Sequence, residues 1–169
     1  GLASGFLEPL ESTSIHLVMS GLYKLLEHFP DLSFAPATIA SYNTELIHEM
    51  ESIRDFIILH YCLTQRDDTP LWCYCRSMKL PDSLSERIEL YRRTGRVRPK
   101  AGELFTDVSW FYIFDGMGIK PERYDPLMDI VTREQLRDLL GSLSQSIASL
   151  TQAAPSHDSY FTAAAEAVP

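Results

Sequence analysis

Residues 4–29 read SGFLEPLESTSIHLVMSGLYKLLEHF. From Ser12 or Thr13 onward the apolar residues are Ile15, Val18, Met19, Leu22, Leu25, Leu26 and Phe29. Their spacing of 3-1-3-3-1-3 is one face of an α-helix, and Pro30 ends it. Ahead of the helix stands a glycine-led apolar strap that closes on Glu11, followed by three hydroxyl residues, Ser12, Thr13 and Ser14. The segment therefore delivers a carboxylate to a helix N-terminus, where free backbone N–H groups and the positive dipole end favour an anion. An ordinary Ser/Thr cap has the same look and involves no chemistry.

The pattern continues as helix along most of the chain. A second segment starts near Pro36 to Thr38 and carries Ile39, Tyr42, Asn43, Leu46, Ile47, Met50, Ile53, Ile57 and His60 on one side, which predicts a helix to about Thr64. Such a helix is long for a globular domain. After the polar loop Gln65–Asp68, Thr69 and Pro70 read as the cap and first residue of a short helix through Trp72 and Cys75. Pro81-Asp82-Ser83 opens another, with Ser83 and Glu86 at capping-box spacing and Gly95 at its stop. Residues 95–102 read as a loop, and the aromatic stretch 103–119 fits either a short helix or an extended segment. Thr132 and Gln135 form a second capping box, ahead of Leu136, Leu139, Leu140, Leu143, Ile147 and Leu150. From Pro155 the pattern gives a short helix and a frayed tail.

The 169 residues are 45% hydrophobic and 22% charged, ordinary for one globular domain. A net charge of −8 argues against a nucleic-acid partner. No apolar run reaches the roughly 20 residues that span a bilayer, and no secretory signal is present. Three cysteines without scaffold spacing suit a reducing cytoplasm. The key strap lies within the first dozen residues, where an unsupported terminus frays. The expectation is a C-terminal piece of a longer protein.

Other clusters carry weaker signals. His60 and Cys62, like Cys73 and Cys75, are two apart, which on a helix points them in opposing directions and fits no zinc pattern; no metal site is expected. His16 reads as a satisfied structural histidine before polar support for the loop. Trp110, Phe111, Tyr112 and Phe114 are dense enough for a core, and flat rings also suit an aromatic ligand.

The strap GFLEPLEST closely resembles a segment of the flavin-dependent tryptophan halogenases. Arg54-Asp55-Phe56-Ile57-Ile58-Leu59-His60-Tyr61, Arg66-Asp67-Asp68-Thr69-Pro70-Leu71-Trp72, Pro81-Asp82-Ser83-Leu84 and Gly116-Met117-Gly118-Ile119 are similar to further signatures of that family, so the resemblance covers most of residues 1–130. It implies the mainly α, substrate-side portion of a flavin monooxygenase-like α/β halogenase. The strap (1–16) would be the junction of flavin, halide and substrate, 17–155 a helical substrate-side domain, and 156–169 a tail. By resemblance Glu11 is the catalytic carboxylate and touches substrate with Ser12. The backbone amides of Thr13 and Ser14 hold the halide, and Leu2 and Ile15 touch the flavin. Part of the substrate pocket falls on Trp110 and Phe111. Members that bind free tryptophan carry a Tyr-Tyr pair there, so their replacement by rings without a phenol points to indole or another electron-rich arene.

In the family mechanism FAD, reduced by a separate flavin reductase, reacts with oxygen to a flavin hydroperoxide. Chloride or bromide then yields hypohalous acid, and a lysine presents the halogen to an indole ring. The dinucleotide fingerprint GxGxxG and the lysine's motif are absent from this sequence. Half an active site is therefore expected, inactive alone. The resemblance leaves a homodimer open. Two other readings stand beside the halogenase: a non-catalytic helical interaction module, and a flavin-dependent aromatic hydroxylase.

Overall fold

A computed structural model describes residues 3, 5–98, 101–159 and 161. Among them the regular structure is helical throughout, with no strand. The chain divides into two compact units, Gly1–Asp125 and Pro126–Pro169. The division falls inside the stretch 17–155 that the sequence presents as one helical part.

In the first unit a 3-10 turn, Pro9–Glu11, leads into α1 (Thr13–Glu27), followed by α2 (Pro36–Cys62), α3 (Pro70–Ser77), α4 (Asp82–Thr94) and α5 (Asp107–Gly116). The 27-residue α2 is the spine: α1, α3, α4 and α5 all pack against it. Its C-terminal half supplies Phe56 and Leu59 to a core completed by Leu84, Ile88 and Tyr91 of α4 and Trp110 and Phe114 of α5. Phe56 stacks on Phe105 with centroids 3.8 Å apart, and Tyr91 on Phe114 at 4.3 Å. The ambiguous aromatic stretch thus resolves as α5, because Trp110 and Phe114, one turn apart, share the buried side of a helix.

Several local expectations hold. Thr69 caps α3, accepting the Trp72 N–H. Gly95 ends α4 in the left-handed region at φ 67°, where an added Cβ would come within 2.8 Å of the Arg123 carbonyl oxygen. The Ser83 capping box does not form: no side chain caps α4, and the Ser83 hydroxyl donates instead to buried Asp55 on α2, which also takes the Arg54 guanidinium. The helix starts at Asp82 with Pro81 in the cap position, so Ser83 sits inside the first turn and its hydroxyl donates to the carboxylate rather than accepting from a backbone N–H.

The face by which α1 docks is also not the one its apolar period suggests. Ile15, Met19, Leu22, Leu26 and Phe29 are exposed. His16, Ser20 and Lys24, spaced four apart, converge instead on Glu49, a carboxylate only 3% exposed on α2. The His16 Nε2 lies 2.7 Å from Oε1, and the Ser20 hydroxyl and the Lys24 ammonium both donate to Oε2. Beside this link the strap, α1 and α2 enclose a largely apolar cleft of about 380 Å³, with Leu17, Val18, Leu46 and Met50 among its walls.

In the second unit a 3-10 turn, Pro126–Ile130, precedes α6 (Arg133–Ala153). The capping box is complete: Thr132 accepts the Gln135 N–H, and the Gln135 side chain returns to the Thr132 N–H.

Burial alone would raise the Glu49 pKa, but hydrogen bonds from Ser20 and His16 and the charge of Lys24 outweigh it and hold the carboxyl below its ordinary value. A carboxyl depressed in the folded state contributes stability that is complete above its unfolded pKa of about 4.3 and is lost as pH falls through the lower native value. Thermal melts should therefore show Tm falling between about pH 5 and pH 3, with part of the fall due to this group. Glu49→Gln should remove that part and cost about 2 kcal/mol at neutral pH. An unchanged neutral-pH melt would show that Glu49 does not hold α1.

Candidate functional site

The strap reaches α1 through a strained joint. Ser12 is left-handed at φ 54° and donates its N–H to the Pro9 carbonyl, closing the 3-10 turn. Its side chain makes no capping bond to α1. The ordinary Ser cap is thus not what this sequence builds. The first-turn amides of α1, which a helix cannot satisfy internally, meet no capping hydroxyl. Thr13 is 2% exposed, and its Oγ1 and the Ser14 Oγ are both buried without a hydrogen-bond partner. Free backbone donors and the positive dipole end are thus available at the mouth of α1, a suitable surrounding for an anion.

Glu11 lies one turn-end earlier, its side chain 34% exposed, with Oε1 3.1 Å from the His60 Nε2. Three residues before it, Glu8 hydrogen-bonds the Tyr61 hydroxyl, whose pKa is raised by burial first and by this carboxylate second. Gly5 brings the strap against α2 so closely that a Cβ would lie 2.7 Å from the Met50 Cε. The strap thus meets α2 at Met50 and Tyr61, and the Glu11 side chain meets it at His60.

Ile15, read as a flavin contact, is 78% exposed on the first turn of α1 and offers an apolar edge beside the orphan hydroxyls. Leu2, its companion in that reading, lies outside the described residues. Ile15 suits edge contact with a flat apolar ring. Nothing among the described residues forms a nucleotide-binding turn.

Trp110 and Phe111 part company in the structure. Trp110 is fully buried, edge-on to Phe56 at 4.9 Å and covered by the Arg87 guanidinium 4.1 Å from its ring centre. Arg87 is in turn held by Glu103 through two hydrogen bonds of 2.6 and 3.0 Å. With no exposed surface, Trp110 belongs to the core. Phe111 points the other way and is 44% exposed, packed beside the exposed Tyr112.

His60 and the cysteines do not converge on an ion. His60 Nδ1 meets the Phe56 carbonyl, Cys62 Sγ the Leu59 carbonyl and Cys73 Sγ the Asp67 carbonyl. Burial also pushes the Cys62 thiol up to about 11, far from the thiolate a metal needs. His16 is spent on Glu49. Sequence reasoning missed Glu49, although a signal existed: it sits three residues after Leu46 and four before Ile53, inside the apolar stripe of α2.

The sequence model of the tryptophan halogenase family matches residues 1–133. Two solved structures superpose closely on the chain. BrvH, a flavin-dependent halogenase from Brevundimonas sp. BAL3, is 40% identical with a TM-score of 0.88, the match covering 96% of this chain and 33% of that one. Xcc4156, a flavin-dependent halogenase from Xanthomonas campestris, is 42% identical with a TM-score of 0.88 and the same coverage. Tryptophan 7-halogenase RebH of Lentzea aerocolonigenes is 28% identical over 92% of this chain and 33% of its own length. The chain thus spans about a third of the length of the relatives it matches.

The separate placements of Trp110 and Phe111 are measurable. Trp110→Ala should destabilise the chain by about 3–5 kcal/mol, whereas Phe111→Ala should stay within about 1 kcal/mol. Urea unfolding followed by circular dichroism checks both, and equal losses would contradict the core assignment of Trp110.

Proposed function

The chain belongs to the tryptophan halogenase family, and from that premise we propose that it forms the carboxylate-bearing part of a flavin-dependent enzyme that installs chlorine or bromine on an indole ring. The observation that carries this reading is the strap. It sets the Glu11 carboxylate beside a helix mouth with an uncapped first turn and two orphan hydroxyls, at Thr13 and Ser14. An anion and an acid–base group are thereby offered within one turn of each other.

Each residue has a separate task. The Thr13 and Ser14 amides hold the halide by backbone donation, which needs no cationic side chain. Glu11, with Ser12 beside it, faces the arene and takes the proton that leaves the substituted carbon. Exposed Ile15, with Leu2, would hold FAD through apolar contact. When bound, the flavin, reduced by a reductase and exposed to oxygen, supplies the oxidising power that makes the halogen electrophilic. The substrate-facing ring of the aromatic run is Phe111, and Trp110 supports it from the core. The three unpaired cysteines fit a reducing cytoplasm as the place of action.

Phe111 offers stacking area and no hydroxyl, so nothing in that ring pairs the charged end of an amino acid. An indole loses little by this, while a substrate carboxylate left without a partner is disfavoured. Competition between equal indole and tryptophan in the full-length protein should favour indole in kcat/KM. A tenfold advantage for tryptophan would refute this preference and direct attention to the Tyr112 hydroxyl beside Phe111.

Glu11→Gln in the full-length protein should cut halogenation by about 100-fold, the scale of a positioned acid–base group. Flavin reduction should be nearly unchanged, because the carboxylate faces the arene. Full activity in the variant would return Glu11 to helix-dipole duty.

A further inference from the structure

His60 lies near the end of α2 with both ring nitrogens committed. Nδ1 is 2.8 Å from the Phe56 carbonyl oxygen. A carbonyl only accepts, so Nδ1 carries the hydrogen and the tautomer is set by the helix itself. Nε2 then lies 3.1 Å from Glu11 Oε1, within ion-pairing distance of the carboxylate for a protonated ring. The ring stands edge-on to Phe56, centroids 5.0 Å apart at 81°, and its side chain is 17% exposed. Phe56 is locked in turn between Phe105 and Trp110. The imidazole is thus fixed by a backbone carbonyl on one side and the aromatic core on the other.

We propose that His60 is a positioning residue for Glu11: it pairs with one carboxylate oxygen and leaves the other turned to the arene. A carboxylate on a strap has free rotation about three side-chain bonds, and engaging one oxygen with a fixed ring removes most of it. Docking the strap is a separate task. Glu8 on Tyr61 and Gly5 against Met50 hold the backbone whether or not His60 is present. Loss of His60 therefore releases the Glu11 side chain without releasing the strap.

The inference rests on the halogenase reading of Glu11, and a double-mutant cycle in the full-length, flavin-loaded enzyme separates the two. His60→Ala should lower kcat about 10-fold, the size of effect a misplaced catalytic group gives, with KM within about 2-fold. His60→Gln, whose amide can still donate to Glu11, should recover activity to within about 3-fold of wild type. In a Glu11→Gln background His60→Ala should change the rate by less than about 2-fold, because a residue acting through another has nothing left to position. A full additional 10-fold loss in that background, or no loss from His60→Ala alone, overturns the proposal.

A second measurement does not depend on turnover. In enzyme labelled with 15N-histidine, His60 should show a protonated Nδ1, and Glu11→Gln should move its Nε2 resonance. An unmoved resonance overturns the pairing. Full activity of Glu11→Gln alongside a moved resonance would instead retire the catalytic reading of Glu11 and leave the pairing intact.

Discussion

One buried carboxylate fixes where the mouth of α1 stands. Glu49 gathers the imidazole of His16, the hydroxyl of Ser20 and the ammonium of Lys24 from one stripe of α1, so that helix has a single allowed rotation and height on α2. A hydrophobic stripe would have tolerated sliding by a turn. Three directed bonds to two oxygens tolerate none, and a partly satisfied buried charge is costly. Because α1 begins at Thr13, its height is also the height of the anion-suited helix mouth. The same spine, α2, carries His60 and Tyr61 at its far end and so sets the carboxylate of the strap. The two halves of the site are registered against one rigid helix.

Much of this was legible in the sequence, wherever a local rule operated without competition. The limits of α1 and α2, the Thr69 cap, the left-handed Gly95 and the Thr132–Gln135 box follow from periodicity and from the needs of unpaired backbone groups. Legibility failed where a long-range partner outbid a local one. Ser83 had the spacing of a capping box, but Asp55, 28 residues away in sequence, takes its hydroxyl. The apolar face of α1 read as a core face, yet Glu49 draws the opposite side inward. In the aromatic run composition could not separate Trp110 from Phe111. Adjacent residues on a helix differ by about 100°, and that rotation sends one into the core and the other outward.

The site itself follows the same division. The strap motif could be recognised as a string, and its carboxylate, hydroxyls and helix mouth are close together as the string implied. What the string could not show is that Ser12 abandons its cap for a left-handed joint, leaving the first turn of α1 open. Nor could spacing show that His60, considered as a metal ligand and set aside, faces the strap. It stands 49 positions along the chain from Glu11, and only the antiparallel return of α2 joins them.

The strap and α2 are laced in opposite directions: Glu8 meets Tyr61, and Glu11 meets the residue before it, His60. Moving forward on one element means moving backward on the other, so a change of length between residues 8 and 11 puts one of the two lacing points out of register. An insertion there cannot be absorbed by sliding, as it could in a simple loop. A library intended to reshape this site would therefore do better to vary side chains within the strap than to lengthen it.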